Sequence, residues 1–573
     1  MGVGGLAAYI SKHCSGTQID FTREEDAYNL IVDASAIVYA VGESVDWTQG
    51  PRYPAFKEKF KLFIHQLLIN TNPLFVFDGP LPNYKIPERL ARYNDKFEKV
   101  AMVVSAVVQG KTESQIQSMA SSIMSPFNVQ SAIELCRESG VHILVAEGEA
   151  DDCVARYAIL NDCPVLSRDS DFFIYAIPGY ISSHSLQFHQ MDDSTQQTTA
   201  QMFSRGLLAE MFGINPDHMS ILAILGGSDH ITRNEMNRIL SANRNLGIPI
   251  SNQLKYPKIL KFLRGFKTLT FDQAKLKVSR LFSRPSDQQI VLNAIEIAHS
   301  QYSCSKPVPV VHSSERDYLF RRMQAGLVNH QVLELYDGKF WCMGPLEDLK
   351  MPSCWMASLS IRKHLYSLVC PGQTISEHSR KTALLIKGER FSNPDWASLE
   401  RIERLEIFLE FTKTTLMISE DLIYYLPSVL AIRNVIIHRS GSSGQYQVGN
   451  HEIVAWICSI LIKLSDLREN NTPTIASIHS LAQLETSQFS LLLLSQVLIP
   501  EVYEENSLLR NGFWDAIDAN CFHWCTAQCR RGASPRRIID GEPEFQIFNR
   551  LVKYVHEGLE EHIEKVFDYS GSH

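Results

Sequence analysis

Along the first 230 residues, short apolar runs alternate with stretches whose apolar positions recur every three or four residues, and carboxylates stand where the runs end. Leu30-Ile31-Val32 leads into Asp33, and Leu74-Phe75-Val76-Phe77 into Asp78. VHILVAEGEADD carries Glu147 and Glu149, CPVLSRDSDFFIY carries Asp169 and Asp171, and ILAILGGSDH closes on Asp229. YNLIVDASAIVYA predicts a strand then a helix, FKLFIHQLLIN an amphipathic helix, PLFVFDG a strand and VQSAIELCRESG a helix stopped by Gly140. Two further strands fall in VHILVAEGE and CPVLSRDSDFFIY. This rhythm predicts an α/β fold with a mainly parallel sheet flanked by helices. In such sheets ligands bind beyond the carboxyl ends of the strands, where these acids stand.

The pattern changes further on. Between Lys85 and Phe127 lies a charged, Ser/Gln/Met-rich helical insertion, placed to roof the acids. A helical stretch follows from about 200 to 300, with a boundary near Ser305-Lys306-Pro307-Val308-Pro309. Beyond it the chain reads as mostly amphipathic helix, as in ERLEIFLEFTKTTL and HEIVAWICSILIKLSDL, interrupted by SGSSGQYQVGN. The expected division is a core over 1–245 holding the 85–127 insertion, a basic helical extension over 246–305, and a mostly α-helical region over 306–573.

Composition narrows the class. A chain of 573 residues with 45% hydrophobic content supports two or three full cores. The net charge of −8 does not advertise nucleic-acid binding, although a local basic face can hide in that total. MGVGGLAAYI lacks the basic and apolar regions of a secretory signal, so the twelve cysteines read as reduced thiols of the cytosol or nucleus. The apolar stretch around Leu491–Leu494 is too short to span a bilayer, and Leu6 breaks a myristoylation pattern after Gly2.

Clustered carboxylates repel unless protons or cations intervene, and oxygen-only sites favour magnesium or manganese. Two divalent ions about 4 Å apart can hydrolyse a phosphodiester. Asp169 and Asp171 fall on one side of an extended segment, and Glu149 and Asp152 would share a helix face. Any one of these acids reads more simply as solvated. Seven set against apolar runs and glycines favour a metal site.

The order of MGVGGL, IVDASAIVY, FVFDG, EGEADD, RDSD and LGGSD over roughly the first 230 residues resembles the flap endonuclease and XPG family of 5′ nucleases, which have PIN-like folds. CPVLSRDSDFFIY followed by ILGGSDHIT is most similar to its Asteroid branch. The resemblance implies that Asp33, Asp78, Glu147, Glu149, Asp169, Asp171 and Asp229 bind two Mg²⁺ or Mn²⁺ ions, with Asp152 as an extra ligand. Asp33, Asp78 and Glu149 would serve one ion and Asp169, Asp171 and Asp229 the other, with Glu147 and Asp152 shared or further out. Lys85 and Arg92, seven residues apart, match the family's pair that grips the scissile phosphate. Tyr39 matches the aromatic on which the terminal base stacks, and Gly2 the residue that approaches the substrate junction.

After its last acid the family normally carries a glycine-rich helix–two-turn–helix that holds duplex phosphates. Here HITRNEMNRILSANRNLGIP lacks the paired glycines. A substitute lies downstream, where Lys255, Lys258, Lys261, Arg264 and Lys267 are interleaved with Tyr256, Phe262 and Phe266. A phosphate-binding face and an ordinary solvated helix face carry equal weight there. Cys521, Cys525 and Cys529 recur every four residues beside His523, which favours core packing over zinc. RRGASPRR reads as an import signal, a phosphate patch or a basic loop.

The resulting expectation is a divalent-metal-dependent, structure-specific nuclease of the 5′ flap type. It would act on DNA with single-strand/duplex junctions, in repair or at replication forks, in the nucleus and with the cytoplasm left open. Two alternatives stay open: an XPG-like scaffold, weak or inactive as an enzyme, that binds RNA or protein partners through its helical C-terminal region, and a ribonuclease. No membrane association is expected.

Overall fold

The computed structural model describes residues 2–563 except 22–26, 112–114, 117–122, 124, 191–195, 232, 244–247, 249–251, 305–313, 381–382, 388–397, 415–417, 442–447, 464–466 and 468–472. The chain forms two compact units, each assembled from separated segments. Met1–Ala40, Phe63–Asp78 and Gly140–His312 make the first, and Val41–Leu62, Gly79–Ser139 and Ser313–His573 the second. This redraws the expected three-part division. Residues 246–305 are no separate extension: Tyr256, Ile259, Leu260, Leu263 and Tyr302 share one core with Val3, Leu6, Phe172 and Ile221. The 85–127 insertion groups with the C-terminal region.

The first unit is built on one sheet. Its strands are β1 (Thr17–Asp20), β2 (Tyr28–Asp33), β3 (Thr71–Phe77), β4 (His142–Val145), β5 (Val165–Ser167), β6 (Tyr180–Ser182), β7 (Gln187–Gln190) and β8 (Gln196–Phe203). The order is β1-β8-β6-β5-β2-β3-β4, with β7 paired to β8. The run β6-β5-β2-β3-β4 is parallel throughout, and the pairings of β8 are antiparallel. Leu30, Ile31, Val32 and Asp33 are buried in succession, as expected of a central strand covered on both faces. Register brings the parallel strands to a common edge: Asp33 lies opposite Val76, Val32 opposite Leu166, and Phe77 opposite Val145. The expected α/β fold with a mainly parallel sheet is therefore present, with an antiparallel margin added at β1, β7 and β8.

The second unit is mostly helical around the 24-residue helix Ile475–Leu498. Every residue from Ser477 to Leu498 on it is buried, so it is covered on all sides although many of its positions are polar. Its interior hydroxyls return to its own backbone, with Thr486 donating to the Ala482 carbonyl at 2.9 Å and Ser490 to the Thr486 carbonyl at 2.8 Å. Leu491–Leu494 belong to this core, and among the described residues no helix is long and apolar enough to cross a membrane. The unit also holds a small sheet of β9 (Lys339–Trp341), β10 (Thr374–His378) and β11 (Ala383–Lys387), in the order β11-β10-β9.

Candidate functional site: an acidic edge of the parallel sheet

The parallel order β5-β2-β3-β4 sends the four strand ends to one edge, and the acids follow. Asp33 is the last residue of β2 and only 4% exposed. One of its oxygens accepts the Ala36 amide at 3.1 Å and the other accepts the Ser167 hydroxyl at 2.5 Å, so it caps its own helix and bridges to β5. Asp78 follows β3 and accepts the Ala150 amide at 2.9 Å, at the start of the helix Ala150–Leu160. Asp169 follows β5, and its Oδ1 accepts the Asp171 amide at 3.0 Å. Asp171, buried, accepts a hydrogen bond from the Tyr302 hydroxyl at 3.1 Å.

These carboxylates lie within electrostatic reach of one another. Burial and then Asp78 push the Asp33 carboxyl up to about 7, against the hydrogen bonds from Ser167 and Ala36. Burial, then Asp169 and Asp229, push Asp171 well above the usual carboxylate range. Asp171 Oδ1 is buried without a completed hydrogen bond, although the Val3 amide favours the charged form. Asp229 is exposed, just beyond the helix Met219–Gly226.

The structure adds one acid and moves another aside. Asp151 sits among Asp169, Asp33, Asp78 and Asp171, and burial followed by those charges raises it strongly. Asp152, the expected extra ligand, instead accepts a hydrogen bond from the Tyr175 hydroxyl at 2.8 Å. The reason is local. The helix begins at Ala150, and Glu149 is an extended residue before it (φ −64°, ψ 142°), so the Glu149–Asp152 spacing does not describe a helix face. Glu147 is exposed and acts electrostatically on Cys153. Sequence reasoning also missed Ser167, Ser35 and Tyr302. Ser35 accepts the Asp78 amide at 3.1 Å, and only the proximity of Ser35 and Ser167 to the acid motifs pointed to them.

Gly2 lies directly on the acids. Its φ is +78°, and an added Cβ would stand 2.5 Å from Ser170 Oγ and 2.8 Å from Asp171 Oδ1, closer than any side chain tolerates. The following residues are tied down by Gly4, whose amide donates to the Gly227 carbonyl at 2.9 Å and whose carbonyl accepts the Tyr256 hydroxyl at 2.8 Å. Tyr39 is 42% exposed on the helix Ala34–Gly42.

Lys255 is not part of a phosphate-binding face. It is fully buried, and its Nζ donates to the Gly226 carbonyl at 3.0 Å, closing the end of the helix Met219–Gly226. Lys258, Lys261, Arg264 and Lys267 are exposed, and Arg264 also donates to the Phe212 carbonyl at 2.7 Å. In the stretch after Asp229, residues 233–242 form the helix Arg233–Ala242, and 244–247 lie outside the described residues.

In the second unit, Lys85 and Arg92 stand at and within the start of the helix Ile86–Val108. Both pair with Glu88, Lys85 at 3.7 Å, so one carboxylate serves the two cations. Glu88→Gln should therefore tighten binding of flap DNA about two- to fivefold in anisotropy titrations, the scale of one partly exposed ion pair. Unchanged or weaker binding would argue against a phosphate-gripping role for the two cations.

Other candidates resolve simply. Cys521, Cys525 and Cys529 are buried on the helix Ala519–Arg530, in line with packing. Among the described residues, no three His, Cys, Asp or Glu side chains stand close enough to hold a metal ion as placed. Asp33, Asp78, Asp169 and Asp171 each accept a hydrogen bond from a protein donor. A cavity of about 670 Å³ in the second unit is lined by Lys463, Trp524, Arg531, Arg537, Asp540 and Glu544, which places part of RRGASPRR at its mouth.

Residues 124–288 match the family model described as XPG domain containing. The single-strand DNA endonuclease ASTE1 of Pongo abelii is 26% identical over 274 residues, 46% of this chain and 38% of that protein. Protein asteroid of Drosophila melanogaster is 25% identical over 187 residues, 31% of this chain and 20% of that protein. The catalytic core of Rad2 in complex with DNA substrate superposes with a TM-score of 0.32 and 17% identity, over 58% of this chain and 98% of that one. The match spans 38% of the length of the ASTE1 protein. The chain resembles the Asteroid branch of the XPG and flap endonuclease family.

Proposed function

We propose that the chain is a divalent-metal-dependent, structure-specific DNA nuclease of the 5′ type, acting on single-strand/duplex junctions in DNA repair or fork processing in the nucleus. One observation carries the reading. Asp33, Asp78, Asp151, Asp169 and Asp171 converge at the carboxyl edge of a parallel sheet, where burial and the neighbouring charges raise the proton affinity of Asp33, Asp151 and Asp171. Such a set needs countercharge, and its all-oxygen donors suit Mg²⁺ or Mn²⁺. The underbonded Asp171 Oδ1 is a fit for a cation. Asp33, Asp78 and Glu149 would hold one ion and Asp169, Asp171 and Asp229 the other, with Asp151 between the groups and Glu147 and Asp152 further out. When bound, the ions supply countercharge to the phosphate and acidify the attacking water.

This chain's own residues do the rest. Tyr302 orients Asp171, Ser167 orients Asp33, and Gly2 leaves room beside Asp169 and Asp171. Lys85 and Arg92 would draw the scissile phosphate inward, Tyr39 would stack the terminal base, and exposed Lys258, Lys261, Arg264 and Lys267 would follow the duplex backbone. The test is cleavage by the purified full chain in Mg²⁺ of a 5′-labelled flap, a splayed duplex and matched RNA. Cutting of the DNA is expected. Tight RNA binding without any cleavage would replace this reading with the scaffold, and preferential cutting of RNA with the ribonuclease.

The acids also predict how the metal-free protein responds to pH. The Asp33 carboxyl is held up at about 7 from 3.8, so the folded state keeps a proton that the unfolded chain releases. Its contribution to stability is full below about pH 4 and is lost as pH rises through about 7. In EDTA, Asp33→Asn should therefore raise Tm at pH 8 and give no gain at pH 4, and Mg²⁺ should stabilise the wild type more than the variant. A lower Tm for the variant at pH 8 in EDTA would contradict this.

A further inference from the structure

The second unit holds the segment 81–107 along its whole length, and the grip comes from residues far downstream. At the start, the Glu334 carboxylate accepts the Leu81 amide at 3.2 Å, while Lys339 Nζ donates to the Leu81 carbonyl at 3.1 Å and to Asn83 Oδ1 at 2.8 Å. Lys85 and the helix Ile86–Val108 follow at once. One turn in, the Arg89 guanidinium lies 5.9 Å over the Trp341 ring. Tyr93 packs edge-on against Trp341 with centroids 5.9 Å apart, and Phe97 against Tyr93 at 5.3 Å. The Trp341 indole is itself fixed by Glu334, which accepts its N–H at 2.5 Å.

Further along, half-buried Lys96 lies within electrostatic reach of the buried Glu485. Burial lowers Lys96 to about 8 and raises Glu485 to about 7, each opposed by the other's charge. The last turns, Val100, Val103, Val104 and Val107, share a core with Leu346 and Ile478. The helix is thus not a cap held by its two ends. Its inner face is fully committed, and Lys85 and Arg92 ride on a fixed rail.

We propose that the C-terminal half of this chain is a clamp that positions the cation-bearing helix before substrate arrives, with Trp341, Glu334 and Lys339 as positioning residues for Lys85 and Arg92. The proposal rests on the nuclease reading for its consequence in catalysis, but the clamp itself is a property of the fold. A preset pair of cations spares the ordering cost of gripping a phosphate, so the clamp supports the affinity for substrate and, by holding the phosphate in place, the rate of its cleavage.

The test uses the full chain and the variants Lys339→Gln, Trp341→Phe, Trp341→Ala and Arg89→Ala. Hydrogen exchange is read over 81–108, together with Mn²⁺ affinity, Kd for flap DNA and the single-turnover cutting rate. Lys339→Gln, Trp341→Ala and Arg89→Ala should speed exchange in 81–108, slow cutting about tenfold or more and weaken Kd by no more than about fivefold, with Mn²⁺ affinity within about twofold. Trp341→Phe should restore most of the protection and of the rate. Arg89→Ala and Lys339→Gln remove no core ring, so they decide the matter if Trp341→Ala does not fold. Exchange unchanged in those two variants would overturn the clamp, as would a rate loss that tracks metal affinity. If the wild type cuts nothing, the nuclease reading fails, and the exchange arm alone still decides the clamp.

Discussion

Asp171→Asn is expected to reduce single-turnover cleavage of a 5′ flap in Mg²⁺ by about 10³-fold, the scale of losing one group that organises transition-state charge. The amide is chosen because the surroundings can absorb it. Asp171 is 7% exposed, its backbone amide donates to Asp169 whatever its side chain, and an asparagine carbonyl can still accept the Tyr302 hydroxyl. What is lost is the negative charge and the underbonded Oδ1. The variant should fold, with Tm in EDTA equal to or above the wild type, because burial, Asp169 and Asp229 all disfavour the native carboxylate. Its Mn²⁺ affinity should fall together with its rate. Cleavage retained within tenfold of the wild type would remove Asp171 from the reaction.

The largest effect on stability should come from the second unit. Arg362 and Glu377 are about 1% exposed or less and form a two-pronged pair at 2.8 and 2.9 Å. Arg362 donates as well to the Trp355 carbonyl and to Ser358 Oγ, and the Tyr366 hydroxyl donates to Glu377 at 2.5 Å. Removing one charge strands the other in a fully buried site, so Glu377→Gln should cost about 3–5 kcal/mol in chemical denaturation. Replacing both residues with methionine should recover much of that loss. Burial pushes Glu377 up, but Arg362 outweighs it and holds the carboxyl below its ordinary value. The pair's stabilisation is therefore present above about pH 4.5 and falls away in more acid solution, and the deficit of Glu377→Gln should shrink there. A deficit below about 1 kcal/mol at pH 7 would show the pair to be dispensable.

The acidic edge was legible in the sequence because apolar runs mark strands and short motifs follow them. Asp33, Asp78, Asp169 and Asp171 needed only the inference that the strands are parallel. Asp151 was passed over because a one-residue difference in where a helix begins rotates every following side chain by about 100°. Lys255 looked like one cation in a basic run; a carbonyl left at the end of another helix draws it inside, and no local pattern records that. Tyr302 is 131 residues from Asp171 and reads as one more apolar position of an amphipathic helix. The clamp on 81–107 was equally hidden, since Glu334, Lys339 and Trp341 form no motif and acquire meaning only through what they touch.

The two units are interleaved in sequence, and this shapes how the chain must come off the ribosome. The second unit collects Val41–Leu62 and Gly79–Ser139 early but cannot close around them until Ser313–His573 is made. At about 5–20 residues per second, Phe97 and Val100–Val107 wait for Trp341, Leu346 and Ile478 for tens of seconds or more. During that interval the valine-rich helix lacks the partners that bury it in the folded unit, and transiently exposed apolar surface of this kind favours aggregation. For the same reason neither unit can be excised as one continuous piece, and a truncation near residue 312 would leave the cation-bearing helix without its inner wall.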